Sequence, residues 1–369
     1  MTTTAHAAVI HQVDGPFVFE DVVLDDIRPD EILVRIVATG LCHTDLAVVH
    51  GDIPGPLPMV LGHEGAGVVE EIGSSVTGLA VGDHVAVSFA SCGHCANCLS
   101  GREAYCLNFM LLNIAGVRED GSGTMTAADG GTTHGSFFGQ SSFASHAIVA
   151  ARNAVKISDD VPLELVGPLG CGVQTGAGTV LNTLAVPAGA SIVVSGTGAV
   201  GLSAIMAAKA AGATTIIAVD VLDERLAFAT ELGATHTLNG RTEDVVARIL
   251  EITGGAGASY GVDTTAVPAV IGQLTAATSF GASIALLGVG KPDATIPLGL
   301  VSGGGKTFIG AIEGDSVPQI FIPRLLSMYA AGTFPFDRLV TTYPFADIDR
   351  AIADTQSGAA VKAVLTMPA

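Results

Sequence analysis

Tryptophan is absent, tyrosine occurs only four times, and Asp, Glu, Lys and Arg together make up 14% of the chain, against about 25% in an average soluble domain. Basic residues are the scarcer sign: 16 Lys and Arg face 35 Asp and Glu, a formal net charge of −19. Phosphate backbones are held mainly by Lys and Arg, so this balance excludes nucleic acid as a partner and predicts an acidic surface. The N-terminal MTTTAHAAVIHQVDG has no basic patch followed by an apolar stretch. No secretory signal is therefore expected, and the chain is expected to be cytoplasmic. Thiols stay reduced there, so the six cysteines point to metal ligation or catalysis rather than disulfides.

No charged residue occurs between Leu165 and Ala208. A spanning helix needs about 20 consecutive apolar residues, but Pro168, Pro187 and the glycines of GCGVQTGAG and GTGAVG interrupt this stretch. We expect tight turns and buried parallel strands there, and no membrane. With 369 residues, 49% of them hydrophobic, the chain is long enough for two cores.

From Ala190 onward, β-branched runs alternate with amphipathic segments, the pattern of βαβ units. SIVVSG (191–196), TIIAVD (215–220), YGVDTT (260–265), ASIALLGV (282–289) and TFIGAI (307–312) are expected as strands. Helices are expected at 199–211, 223–232 and 242–252. Before about residue 170 the strand-like runs EILVRIVA and GAGVVEEIG, separated by Gly and Pro, predict a mainly β domain. The helical SVPQIFIPRLLSMYAAG and the strand AVKAVLTM are expected to return the tail to it.

SGTGAVG sets Gly196, Gly198 and Gly201 in G-x-G-x-x-G spacing between a strand and a helix. Such glycines allow a tight turn, close approach of a pyrophosphate and close helix packing. Asp220 ends the next strand, close to the roughly 20 residues at which an acid meets the adenosine ribose. Its charge repels a 2′-phosphate, so NAD is favoured over NADP. Arg225 is a candidate for the same ribose, and Val200 and Val289 are taken as further cofactor contacts.

CGHCANCLSGREAYC places Cys92, Cys95, Cys98 and Cys106 in C-x2-C-x2-C-x7-C spacing. Four thiolates this close in a loop suit a closed tetrahedral zinc site, which holds structure and does no chemistry. A ferredoxin-type iron–sulfur run needs its last cysteine sooner and followed by proline; here Leu107 follows Cys106. His94, inside the cluster, is expected to be an exposed loop residue and no ligand. Cys42 in TGLCHTD and Cys171 in LGCGVQTG are isolated, and His63 in LGHEGAGVV is a candidate third ligand. Two thiolates, an imidazole and a water would make an open zinc site, but spacing alone does not bring 42, 63 and 171 together.

GHEGAGVVEEIG, the four-cysteine loop, GTGAVG and the chain length together resemble the zinc-dependent medium-chain alcohol dehydrogenases over nearly the whole chain. Within that family GPLGCGVQTGAG and HGSFFGQSSFASHA are most similar to the bacterial aryl (benzyl) alcohol dehydrogenases. The resemblance implies an α/β protein: a GroES-like mainly-β catalytic domain (1–171), a doubly wound Rossmann NAD-binding domain (172–312), and a C-terminal segment (313–369) returning to the first. It implies two zinc ions per chain, the catalytic one on Cys42, His63 and Cys171. Glu64 would lie close to that zinc, and Asp45 would orient the ligand histidine. Thr44 would bond the substrate oxygen and accept its proton. His43 and Lys362 would contact the pyrophosphate, and Thr175 would line the nicotinamide. Ala47 departs from the pattern, standing where many relatives carry a histidine that ends a proton relay. The proton is then expected to leave through His43 or a water chain.

The implied reaction is NAD-linked oxidation of primary, aromatic alcohols to aldehydes, and the reverse. Phe137 and Phe138, with no charged neighbour, are expected beside Thr44 in the substrate pocket. A thiol-adduct formaldehyde dehydrogenase would need a basic cluster that the sequence does not show. A non-catalytic NAD-binding structural protein would not need an open zinc position. The resemblance also implies a homo-oligomer, tetramer rather than dimer, paired through the apolar edge strand TFIGAI.

Overall fold

The computed structural model describes residues 3–291 and 294–368. Chain contacts divide it into two units. One comprises the chain up to Cys171, Val317–Pro323 and everything from Leu339 onward; the other comprises Gly172–Ser316 and Arg324–Arg338. The stretch 313–369 is thus shared between the units, and Pro323 inside the helix Pro318–Ala330 marks the changeover.

In the first unit, period-2 patterning yields two β-layers. A four-stranded sheet runs in the order Met59–Val60, Thr4–Ile10, Phe17–Leu24, Met125–Ala127. A seven-stranded sheet centres on Glu31–Gly40, which pairs antiparallel with Gly65–Ile72, His146–Ala150 and the closing strand Lys362–Thr366. Because Val364 lies opposite Gly40 and Leu365 opposite Thr39, Lys362 falls beside the CHTD segment that follows Gly40. Ile32, Val34 and Ile36 point into one core with Val69, Val85 and Val149. Alternate residues on such a strand share a face, which is why GLCHTDLA emerges at a fixed place beside this core.

The second unit holds a six-stranded parallel sheet in the order 236–239, 215–220, 191–195, 258–263, 278–286, 307–310. By sequence number the strands run 3-2-1-4-5-6, with the order reversing beside Ser191–Ser195, the place where doubly wound sheets take nucleotides. The central strands are apolar on both faces, as burial under helices requires. The expected strands and helices of this unit are present, with ends shifted by a few residues. Not foreseen were the edge strand His236–Asn239, too short and polar to show alternation, and the helices Pro268–Ala277 and Leu298–Gly303.

One expectation is overturned. GCGVQTGAG forms neither turns nor a strand but the helix Gly172–Gly178, continued by a wider turn over Thr179–Thr183. Its glycines serve helix packing: a Cβ at Gly176 would stand 2.0 Å from the carbonyl oxygen of Val200. Among the described residues no helix is long and apolar enough to cross a membrane.

Candidate active site and metal centres

The CHTD tetrad opens a helix, His43–Val49, with Cys42 at its N-cap. Asp45 reaches back so that its Oδ2 accepts from Cys42 N–H at 2.9 Å, while its Oδ1 accepts from Gly62 N–H at 3.1 Å. Asp45 Oδ1 also lies 2.8 Å from His63 Nδ1, and both side chains are fully buried. A carboxylate that accepts from two backbone amides can take only a donor at its third contact, so Nδ1 carries the proton and Nε2 presents a lone pair. That Nε2 is buried without a hydrogen-bond partner. It belongs with Cys42 Sγ, Cys171 Sγ and a Glu64 carboxylate oxygen to a set of atoms within 4.8 Å of one another.

Glycines make this convergence possible. A Cβ at Gly40 would lie 1.9 Å from Glu64 Oε2, and one at Gly167 would lie 2.2 Å from Glu64 O. Cys171 follows the turn Gly167–Gly170, which Ser88 Oγ fixes by donating to Gly170 O at 2.7 Å. The hydrogen bond to Cys171, with the His63 and Lys362 charges, holds the Cys42 thiol well below its ordinary pKa despite burial. Burial would push His63 down, but Asp45 and Cys42 hold its pKa well above the usual value, so a cation that takes the Nε2 lone pair displaces a proton from it while Nδ1 keeps its own. Two sulfurs, one imidazole and a nearby carboxylate gathered in one place are the donor set of a soft divalent cation and fit zinc with an open position.

Lys362, expected at a pyrophosphate, lies beside Glu64. It is 4% exposed, and its Nζ donates to Glu64 Oε1 at 2.9 Å and to Leu41 O at 3.0 Å. Burial opposes its charge, but Glu64 and the two thiols keep it protonated. Gln140 was missed: its Nε2 donates to His63 O and its Oε1 accepts from Gly65 N–H, both at 2.9 Å, clamping the backbone on either side of Glu64. The signal was the single amide side chain in HGSFFGQSSFASHA. Phe138 stacks on the His63 ring at 4.5 Å and Phe137 meets its edge at 5.5 Å. Phe137 is fully buried, whereas Phe138 keeps 6% of its surface. Thr44 is half-buried, 3.8 Å from Cys42 Sγ, and His43 is exposed.

The four-cysteine loop closes on itself. Cys92 and Cys98 sulfurs are 3.9 Å apart, Cys95 and Cys98 3.5 Å. Zinc–sulfur bonds of about 2.3 Å at tetrahedral angles set sulfurs about 3.8 Å apart, whereas a disulfide would bring them to about 2 Å. Backbone N–H groups of Leu107 and Cys98 pull the Cys95 thiol down to about 6, while burial pushes Cys98 up to about 12. His94 turns to Glu119, 2.9 Å away and exposed.

In the second unit the glycine turn follows Ser195. Gly196 has φ +88°, and a Cβ at Gly201 would stand 1.8 Å from Gly196 O, so the helix Ala199–Ala210 packs directly on the turn. Gly198, exposed, has nothing within 4 Å of where a Cβ would stand, which leaves the helix N-terminus open to an anion. Asp220 Oδ2 accepts from Thr197 N–H and Oγ1–H, both at 2.6 Å, and Oδ1 from Val221 and Leu222 N–H, which locks the carboxylate to the turn. Burial lowers the pKa of Arg225, and the Asp220 charge opposes it. Val200 is half-buried and Val289 exposed. These residues fit a dinucleotide.

One β-rich unit with a buried thiol–imidazole–carboxylate set and one doubly wound unit with an open glycine turn, in the same chain, define a zinc-binding dehydrogenase. Residues 28–159 match the alcohol dehydrogenase GroES-like domain and residues 199–330 the zinc-binding dehydrogenase domain. The chain is 46% identical to a geraniol dehydrogenase of Castellaniella defragrans over 98% of its own length and 97% of that protein's. Among solved structures it resembles an alcohol dehydrogenase zinc-binding domain protein from Burkholderia ambifaria, at 50% identity and TM-score 0.97 over 100% of both chains. It also resembles a benzyl alcohol dehydrogenase from Acinetobacter calcoaceticus, at 43% identity and TM-score 0.95 over 99% of this chain and 100% of that one. The chain belongs to the zinc-dependent medium-chain alcohol dehydrogenase family and is an alcohol dehydrogenase.

Proposed function

We propose that the protein oxidises primary alcohols of the benzyl type to aldehydes, and reduces them back, using zinc at Cys42, His63 and Cys171, a second zinc at Cys92, Cys95, Cys98 and Cys106, and NAD at the glycine turn. The observation that carries this is the buried His63 Nε2, aimed by Asp45 and grouped with two thiols and Glu64. When bound, zinc supplies a Lewis acid that lowers the alcohol's pKa, and NAD accepts the hydride. Thr44 holds the substrate hydroxyl and takes its proton, and His43, exposed one residue earlier on the same helix turn, passes it to solvent. Asp45 fixes the imidazole tautomer. Lys362 holds Glu64 within reach of the thiol pair and offsets part of the burial that pushes its carboxyl up to about 7. Asp220 repels a 2′-phosphate and so selects NAD, with Arg225, Val200, Val289 and Thr175 as further cofactor contacts. Phe138, which retains surface where Phe137 does not, supplies the aromatic contact.

Resemblance to a geraniol dehydrogenase favours a second reading, allylic primary alcohols. Both substrate classes place the carbinol carbon next to an unsaturated carbon, and neither is charged. The edge strand Thr307–Gly310 carries the proposed subunit pairing of a homotetramer. NADH absorbance is followed with benzyl alcohol, geraniol, ethanol and S-hydroxymethyl thiols in parallel, with metal analysis of the same sample. Two zinc ions per chain and benzyl alcohol oxidation are expected. A preference for geraniol moves the substrate to the allylic class, whereas one zinc per chain or a preference for the thiol adduct overturns the proposal.

A further inference from the structure

The segment SFFGQS (136–141) holds three residues that are not glycine in left-handed backbone: Ser136, Phe138 and Ser141, at φ of +69°, +50° and +51°. Such conformations are costly and persist where the surroundings over-determine them. Here Ser141 Oγ accepts from Phe137 N–H at 2.8 Å and donates to Val60 O at 2.6 Å, while Ser142 N–H donates to Gly62 O at 2.9 Å. The segment is thereby strapped along the chain that leads to His63. It delivers two side chains to that residue, Phe138 onto the ring and Gln140 onto the backbone. His63 lies outside any strand, so no ladder meets its carbonyl. The Gln140 amide stands in for a neighbouring strand: Nε2 donates to His63 O and Oε1 accepts from Gly65 N–H, both at 2.9 Å. Gly65 permits this approach, since a Cβ there would lie 2.8 Å from Gln140 Oε1.

Gln140 is buried, and its Nε2 also faces Ser88 O at 3.5 Å. Ser88 is itself anchored, its N–H donating to Asn153 O at 3.0 Å and its hydroxyl to Gly170 O at 2.7 Å, one residue before Cys171. A chain of buried polar contacts thus runs from the His63 carbonyl through Gln140 and Ser88 to the Cys171 turn. On the other side of His63, Asp45 ties the imidazole to the Cys42 backbone. Three ligand segments far apart in sequence are therefore joined before any cation enters, and a preset span discriminates among cations by their size. We propose that Gln140 is a positioning residue that fixes the span from His63 to Cys171 and, through it, the size of cation the site accepts. This inference rests on the metal reading above.

The test compares zinc with cadmium, a larger cation of the same charge that also takes thiolates, by chelator competition on the whole protein and on Gln140→Met and Ser88→Ala. The four-cysteine loop, held by cysteines of its own, is the internal reference. Met keeps the length of the side chain and removes its donors and acceptor, so zinc binding at Cys42, His63 and Cys171 should weaken about tenfold, while cadmium binding changes by under about threefold. A merely structural role would move both cations alike. Equal losses for the two cations, equal losses at the two sites, a larger loss for cadmium, or no change each overturn the proposal. Should the Met variant not fold, Ser88→Ala decides, since it removes a single hydroxyl: the ratio of the two dissociation constants should shift the same way by about threefold, the size of one neutral hydrogen bond, and an unshifted ratio overturns the proposal. A parent that takes up metal at the four-cysteine loop alone refutes the metal reading and this inference with it. A parent with two ions whose variants keep its ratio refutes this inference alone.

Discussion

Replacing Asp45 with Asn changes one atom of the candidate active site, and the structure states what that atom does. Oδ2 accepts from Cys42 N–H; Oδ1 accepts from Gly62 N–H and from His63 Nδ1. All three partners are donors at 2.8–3.1 Å, a set that a carboxylate satisfies and an amide does not, because an amide has one oxygen. Whichever way the Asn turns, its NH2 meets at least one of these N–H groups in a fully buried site. If the NH2 faces the imidazole, the favoured tautomer reverses, and Nε2 carries the proton where a metal needs a lone pair. If it faces Cys42, the cap that holds the ligand's backbone is lost. A hydrogen bond to a charged group contributes about 1.5–3 kcal/mol, and partners behind metal ligands typically account for about 10–100-fold in affinity. Zinc affinity at this site should therefore fall by about 10–100-fold, or about 1.4–2.8 kcal/mol at 1.4 kcal/mol per factor of ten. Competition with a chromogenic chelator reads this directly, and the four-cysteine zinc serves as the internal reference because none of its ligands touches Asp45. An affinity within about twofold of the parent, or equal losses from both sites, refutes the reasoning.

Cys106→Ser should release one zinc per chain while leaving the other, and should lower Tm by several degrees, at roughly 2–4 °C per kcal/mol for a domain of 150–250 residues; metal analysis with calorimetry checks both. Gly40→Ala would place a Cβ 1.9 Å from Glu64 Oε2, displacing the carboxylate from Lys362 at a cost of about 1–3 kcal/mol for overpacking, read by urea unfolding and contradicted by a loss under about 0.5. Ala47 is 3% exposed, so Ala47→His should lower Tm and leave kcat below pH 7 unchanged, whereas His43→Gln should lower that kcat by about tenfold or more; a rise in the Ala47→His variant would show that the missing relay was limiting. Burial pushes the Asp25 carboxyl up, but Arg118 more than offsets this and holds it below its ordinary value. Its contribution is then present above about pH 4 and lost as pH falls through the lowered value. Asp25→Asn should accordingly be less stable than the parent at pH 7, by under about 1 kcal/mol for so exposed a carboxylate, and the difference should shrink as pH falls below about 4; a difference that does not shrink in acid counts against the ion pair.

Legibility in the sequence followed how local each determinant is. The four-cysteine loop and the glycine turn lie within 15 and 6 residues of chain, so spacing alone restricts their geometry. The central strands of the second unit were visible because burial on both faces leaves a continuous β-branched run, whereas His236–Asn239 at the sheet edge carries no such run. Cys42, His63 and Cys171 became a set only through resemblance, since nothing in 21 and 108 intervening steps encodes an approach within 4.8 Å. The uncharged stretch after Leu165 misled for a related reason: its glycines read as turns, yet Gly176 and Gly178 are contact points in a helix. Glycine signals that backbone comes close to something, and the sequence does not say what.

Lys362 shows the same limit at the level of charge. A lysine in a β-run invites assignment to an anionic ligand, and nothing local shows that the register Val364↔Gly40 also sets it against Glu64. The ammonium ties Glu64 beside two thiols, while burial pushes its carboxyl up to about 7. A carboxylate so restrained is close enough to meet a cation and tied enough to leave it, which is what an open metal position needs when one oxygen ligand replaces another. Gly40 and Gly167, where a side chain would strike Glu64, belong to the same arrangement: Gly40 leaves room for the carboxylate and Gly167 for the backbone carbonyl that carries it.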